Sequence, residues 1–207
     1  MIIHDHEQYS AEWWQARLGI PTASGVDKLI TSTGAPSKQA AAYANTLIAE
    51  RLSGRSDDSV STVWTERGRE TEGEAREMLE LVLDQEITEV GFITTDDRTI
   101  GCSPDGVILS EGSILEGVEI KCPKGSTHVE YLRAGKVPPK YLGQVQTCLY
   151  VTGASAWWFC SYYPGIDPLI LRVEPDLEWH GKLEEAVQAL HQTIEQSIKT
   201  LENKSEK

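Results

Sequence analysis

Glu119-Ile120-Lys121 constrains the fold more than any other part of this chain. The three lie in a run from Gly117 to Cys122 that Pro123 ends. Charged, apolar, charged is the period-two pattern of a strand. It sends both charged side chains to one face, about 7 Å apart along the strand, and Ile120 to the other, into the core. Upstream, Ser103-Pro104-Asp105-Gly106 reads as a turn on an adjacent hairpin, with 12 residues between Gly106 and Glu119. The pattern thus predicts two carboxylates and a lysine at one sheet edge. Such a set suits a hard divalent cation beside a phosphodiester. Mg²⁺ takes oxygen ligands, and Asp105, Glu119 and the Ile120 carbonyl could supply three. Lys121 cannot ligate the metal, but its point charge can orient or acidify an attacking water and steady the phosphorane oxygens. Taken singly, these residues are better explained as an exposed Asp-Gly turn and a surface Glu/Lys pair. At this spacing, on these elements, the three together favour the metal-dependent chemistry.

The rest of the chain predicts helices around a sheet. Helical spacing covers 7–17, with Trp13 and Trp14 among the apolar positions, until Gly19-Ile20-Pro21 breaks it. Thr22-Ala23-Ser24 can cap a short helix to about Ile30, and Ser37 opens an alanine-rich helix closed by Gly54. From about 62 to 83 the spacing is helical again, with Ala75, Met78, Leu79 and Val82 on one stripe. Strands are expected over 87–95, 99–103, 107–109, 117–122, 154–162 and 169–173, with helices over 127–134 and 138–151. From Pro175 an amphipathic helix carries Leu183, Val187, Leu190, Ile194, Ile198 and Leu201, and the tail Asn203–Lys207 is expected to fray. The order implies one domain over 1–207, α/β or α+β, with helices flanking a sheet; of the two, α/β is the expectation carried forward. N-terminal helices fill 7–84, the catalytic sheet and its helices 85–175, and a C-terminal helix about 176–202.

Composition removes several functional classes. Against 19 Lys and Arg stand 32 Asp and Glu, a formal charge of −13. That excludes a nucleic-acid binder covered in positive charge and leaves room for a local basic groove. No apolar run approaches the roughly 20 residues of a membrane span. The first residues carry neither the basic nor the apolar region of a signal peptide, so a cytoplasmic protein is expected. The 4 cysteines, at 102, 122, 148 and 160, make no C-x-x-C and no Cys/His knuckle, so buried free thiols are expected rather than a zinc or iron–sulfur site. Two further polar stretches stand out. In Arg67-Gly68-Arg69-Glu70-Thr71-Glu72-Gly73-Glu74, Glu70 and Glu74 share a helix face that reads as solvated, while Glu72 points elsewhere. Tyr141 and Gln144, at i and i+3, face the same way on a helix. A glutamine amide there can bond a phosphate oxygen or a metal-bound water, although an ordinary polar stripe would look the same.

In order along the chain, these residues resemble a known family. Asp105 followed by Glu119-x-Lys121 matches the PD-(D/E)xK nuclease pattern, which alone is weakly specific. Five blocks narrow it: Trp13-Trp14-x-x-Arg17-Leu-Gly-x-x-Thr22-Ala-Ser24, Gly68-x-x-x-Glu72, Cys102-Ser-Pro-Asp105-Gly, Glu119-Ile-Lys121-Cys-Pro123 and Gln144-Val-Gln146. Together they resemble the lambda exonuclease and YqaJ-type alkaline exonuclease family, over about residues 11–163. The resemblance implies a restriction-endonuclease-like PD-(D/E)xK fold, a central mixed β-sheet flanked by helices. It implies a processive 5′-to-3′ exonuclease on double-stranded DNA with a 5′-phosphorylated end, dependent on Mg²⁺ with Mn²⁺ able to substitute. It implies a homotrimeric ring that releases 5′-mononucleotides and leaves a 3′ single strand for a single-strand annealing protein, in a phage or prophage setting. By the same resemblance, Asp105, Glu119 and the Ile120 carbonyl hold the metal, and Glu72 lies at the second-metal or water side. Lys121 is the catalytic lysine, Gln144 the active-site glutamine with Tyr141 beside it at the substrate, and Arg17, Ser24 and Ser103 form a pocket for the 5′-phosphate. An arginine fork and two hydroxyls suit such a phosphate. The family's hydrophobic strand wedge is not matched directly. Trp64, in Val63-Trp64-Thr65-Glu66, is the candidate, with core packing an equal alternative. Two other assignments stay open on the same residues: a PD-(D/E)xK endonuclease, and a non-catalytic protein that binds DNA ends.

Overall fold

The computed structural model describes residues 1–56 and 63–205, with the side chains of 63–70 and 205 outside the description. Two sheets organise it. The smaller is antiparallel, in the order β1 (Ile2–His4), β2 (Phe92–Thr94), β3 (Gly101–Cys102). The larger is mixed, in the order β4 (Gly106–Ser110), β5 (Ser113–Lys121), β6 (Ala156–Tyr163), β7 (Ile166–Val173). β4 and β5 form a hairpin turned at Glu111 and Gly112, both with positive φ (51° and 79°), the geometry that matches strand twist. β5 and β6 run parallel, which demands a crossover, and the chain supplies it as two helices, α4 (Gly125–Ala134) and α5 (Pro139–Thr152). The remaining helices are α1 (Ala11–Arg17), α2 (Ala40–Ser53), α3 (Val63–Leu83) and α6 (Leu177–Ser205).

Alternation along β5 decides which layer covers which face. Val118 and Ile120, with Cys160 of β6, meet Ala75 and Leu79 of α3 in one core. Phe159, the register partner of Glu119, and Trp157 point the other way, into a larger core with α2, α5 and α6. Leu183, Val187, Leu190 and Ile194 of α6 are all buried there, the stripe their spacing predicts. Helices therefore flank the mixed sheet on both faces, as expected. Among the described residues, no helix is long and apolar enough to cross a membrane.

Several expectations shift. β1 was not foreseen. The expected strand 87–95 is split between the sheets, because Thr88 bridges to Val107 while Phe92–Thr94 pair with β1 and β3. The first helix begins at Ala11 rather than 7, where Ser10 caps it by accepting from the Trp13 N–H at 3.1 Å, after Tyr9 has turned to φ 71°. Residues 23–28 form a 3₁₀ turn, and the Thr22 hydroxyl reaches the Ser24 hydroxyl instead of capping it. The alanine-rich helix opens at Ala40, and Gly54 closes it in the left-handed conformation. On α3, Val82 is exposed and Leu83 packs in its place. Three thiols are buried, but Cys122 is half-buried. The tail stays helical to Ser205, so Asn203–Ser205 do not fray as expected.

Candidate active site

Asp105 immediately precedes β4, and its carboxylate crosses to the neighbouring strand. Its Oδ2 accepts a hydrogen bond from the Ile120 N–H at 2.6 Å, midway between Glu119 and Lys121. The β4–β5 pairing thus carries Asp105 to the two residues that strand alternation had already placed together. Glu119 is fully buried, and Lys121 is partly exposed. Glu119 Oε1 is ion-paired with the Lys121 ammonium and also accepts from Gln144 Nε2 of α5 at 2.6 Å. Its other oxygen, Oε2, is buried with no hydrogen-bond partner among the described residues.

That orphaned oxygen bears on the metal. A dry carboxylate oxygen without a partner is costly, and a proton or a cation relieves it. Asp105, Glu119 and the intervening Ile120 backbone offer the all-oxygen donors a hard cation takes. Among the described residues no three His, Cys, Asp or Glu side chains cluster closely enough to hold a metal, so a backbone carbonyl or water would have to complete the set. The residues present fit the ion on these terms.

Electrostatics point the same way. Burial raises Glu119 to about 7; Lys121 opposes the rise, and Asp105 and Glu72 add to it. Burial also raises Asp105, against Lys121 and the Ile120 N–H. Glu72 is likewise raised to about 7, by burial and then by Asp105, with Arg76 opposing. Burial alone would lower Lys121, but Glu119 and Asp105 outweigh it and hold its pKa above the ordinary value. Burial thus penalises the ionised form of three carboxylates around one ammonium, a penalty that protons or a cation relieve.

Glu72 is placed by a residue the sequence did not single out. Arg76, one helical turn on, reaches Glu72 Oε1 at 3.3 Å, pairs with Glu89, and donates from Nε to the Asp105 carbonyl at 3.0 Å. It ties α3 to the loop that holds Asp105. The i, i+4 spacing to Glu72 was its signal, but that spacing usually marks a surface pair. Glu74 is exposed, as expected, and the side chain of Glu70 lies outside the described residues. On α5, Tyr141 stands beside Gln144 as foreseen. Its ring is 5.7 Å from that of Phe159 and 5.3 Å from the Lys121 ammonium.

A second cluster lies two residues upstream of Asp105. Arg17 Nη1 donates to Ser103 Oγ at 2.7 Å, and its guanidinium stacks 4.1 Å from the Trp13 ring, whose Nε1 reaches the same hydroxyl at 3.1 Å. Ser24 is exposed and bonds to neither, but it lines a pocket of about 130 Å³ with Arg17, Thr22, Lys28, Tyr43 and Glu50. Arg17 and Ser103 are thus in contact, and Arg17 and Ser24 share a cavity. The side chain of Trp64 lies outside the described residues.

Comparison with known proteins adds a family and a shared fold. The YqaJ-like viral recombinase domain matches residues 12–155. The alkaline exonuclease LHK-Exo from Laribacter hongkongensis superposes with a TM-score of 0.83 at 31% identity, covering 95% of this chain and 98% of that one. The same exonuclease in complex with dAMP superposes at 0.82, with the same identity and coverage. A phage-related exonuclease from Haemophilus somnus 129PT shares the fold at a TM-score of 0.65 and 14% identity, over 88% of this chain and 96% of that one. No curated protein sequence matches the chain.

Proposed function

The chain belongs to the YqaJ-like viral recombinase family, and on that premise we propose that it is a metal-dependent exonuclease degrading one strand of duplex DNA from a phosphorylated 5′ end. The observation that carries the reading is the buried, unpartnered Glu119 Oε2 beside Asp105 and Lys121. Asp105, Glu119 and the Ile120 carbonyl would hold Mg²⁺, with Mn²⁺ able to substitute and Glu72 at a second metal or water. The ion would supply Lewis-acid charge and a water of lowered pKa.

The chain's own groups do the positioning. Lys121 stays protonated, so it acts as donor and point charge, orienting the water for in-line attack and steadying the phosphorane oxygens. Gln144 fixes one oxygen of Glu119 and leaves the other free. Arg76 sets the Asp105 backbone and Glu72 together. Arg17, Ser24 and Ser103 grip the terminal phosphate, with Tyr141 at the substrate and Trp64 as the strand wedge. Each cleavage releases a 5′-mononucleotide and leaves a new 5′-phosphate, so hydrolysis regenerates the group the pocket holds and favours processive movement. The proposal extends to one domain spanning 1–207 and a homotrimeric ring in the cytoplasm of a phage-bearing host. The 3′ strand it exposes would pass to a single-strand annealing protein.

The test is a linear duplex carrying a single 5′-phosphate, incubated with Mg²⁺. The phosphorylated strand should shorten, and a chelator should stop it. Nicking of a closed circle would mark an endonuclease instead. Duplex binding with no product under Mg²⁺ or Mn²⁺ would mark a non-catalytic end-binding protein.

A further inference from the structure

Beyond Lys121, a second ammonium leans on the ring of Tyr141. Lys140 Nζ lies 4.6 Å from the Tyr141 centroid and 5.7 Å from that of Tyr131. The fold makes the meeting. Tyr131 occupies the last turn of α4, Gly135 ends that helix in the left-handed conformation, and Pro138-Pro139 starts α5 with Lys140 and Tyr141 in its first turn. The two rings meet edge-on at 6.3 Å. Lys140 is exposed, and among the described residues it is ion-paired with no carboxylate, in a chain with 32 acidic side chains.

A second observation shows how the ammonium is held. Tyr131 is only 8% exposed, and its hydroxyl is sealed from solvent without a hydrogen bond of good geometry among the described residues. The Lys140 ammonium and the Tyr141 side chain lie beside it. A hydroxyl so placed orients the ammonium and leaves its outer side open to a ligand. The start of α5 also has no capping side chain, and its dipole favours an anion there.

Position identifies the anion. Contacts run in series from Arg17 through Ser103 to Asp105, from Asp105 to Ile120 and Lys121, and from Lys121 to Tyr141 and Lys140. If the departing nucleotide's phosphate is held at the Arg17 end and bond cleavage occurs at Lys121, the cleaved strand continues toward Lys140. Phosphates recur roughly every 3.4 Å of helix axis on one strand, and both ammonium groups lie within 5.3 Å of the Tyr141 centroid. We propose that the exposed Lys140 ammonium, steadied from behind by Tyr131 and Tyr141, binds the phosphodiester immediately 3′ of the scissile bond. This rests on the reading of Asp105, Glu119 and Lys121 as the hydrolytic site. Lys140 is a substrate-positioning residue that sets the register of the strand.

The experiment compares wild type, Lys140→Ala, Lys140→Arg and Tyr131→Phe on two 5′-phosphorylated duplexes. One is unmodified, and the other carries a single neutral methylphosphonate at the first phosphate 3′ of the scissile bond. The methylphosphonate should lower wild-type kcat/KM for the first cleavage about tenfold, as for loss of a charged hydrogen bond. It should lower that of Lys140→Ala and Tyr131→Phe less than threefold, and Lys140→Arg should keep most of the wild-type response. An equal penalty in wild type and Lys140→Ala overturns the site. Independently, the salt dependence of duplex binding without metal should lose about one unit of log–log slope in Lys140→Ala, and an unchanged slope also overturns it. Wild-type digestion of the unmodified duplex reports the hydrolytic reading by itself. No digestion together with a reduced slope would sink that reading and keep Lys140 as a DNA contact. Digestion with equal penalties would sink the Lys140 site alone.

Discussion

Lys121 is held charged by Glu119 and Asp105, so its removal should cost rate and spare binding. Lys121→Ala is expected to bind duplex and metal within a few-fold of wild type and to cut about 10²–10³-fold more slowly. Single-turnover rates within tenfold of wild type would contradict its role. Protons give a second prediction. Glu72 and Glu119 keep their protons to about 7, whereas the proposed ligation would need them ionised. Metal and proton would therefore compete below 7. Apparent metal affinity should climb up to about tenfold per pH unit for each proton released and flatten above 7. Calorimetry at pH 6.5 in buffers of differing ionisation enthalpy counts the protons, and Glu119→Gln should release fewer. No release from wild type would contradict the assignment. For the terminus, Arg17→Ala should narrow the preference for 5′-phosphate over 5′-hydroxyl ends about tenfold or more, measured as a ratio of initial rates. Asp105, Glu119 and Lys121 were legible because alternation and one hairpin suffice to bring them together. Arg76 was not, because its partners Glu89 and Asp105 lie 13 and 29 residues away and only the folded chain brings them near.

Among the elements, β5 carries most of the site, and its seating on β6 can be tested apart from the chemistry. Gly117 pairs with Trp157, and a Cβ there would run into the indole, which is fully buried. Gly117→Ala should destabilise the protein by about 1–3 kcal/mol through overpacking, read as a shifted urea midpoint with an unchanged slope. No shift would mean the indole yields freely. The helices were largely readable because their period is local, with α3 and α6 close to expectation. The segment 87–95 was not. Its ladder partners lie in two sheets, one made with residues 2–4 at the far end of the sequence, and no window of local pattern records that. The split places Gly91 against the backbone of His4 and His6, where a side chain would collide.

At the scale of the whole molecule, the charge of −13 makes sense if basic groups face enclosed DNA and acidic ones face outward. A ring would then discourage side-on contact while retaining the duplex inside. Processivity on long linear duplex should hold as salt rises from 50 to about 150 mM, because release requires threading off an end. An enzyme that leaves after each cut even at low salt would contradict enclosure. One short peptide has a further consequence. Ser103 accepts from Arg17, Asp105 accepts from Ile120 of β5, and Pro104 between them is buried with its carbonyl accepting from Gln8 at 2.7 Å. On the proposed function, grip and blade would sit two positions apart on one braced peptide. The enzyme would measure out single nucleotides with that peptide, and inserting a residue into it would alter the size of the bite before it altered the speed.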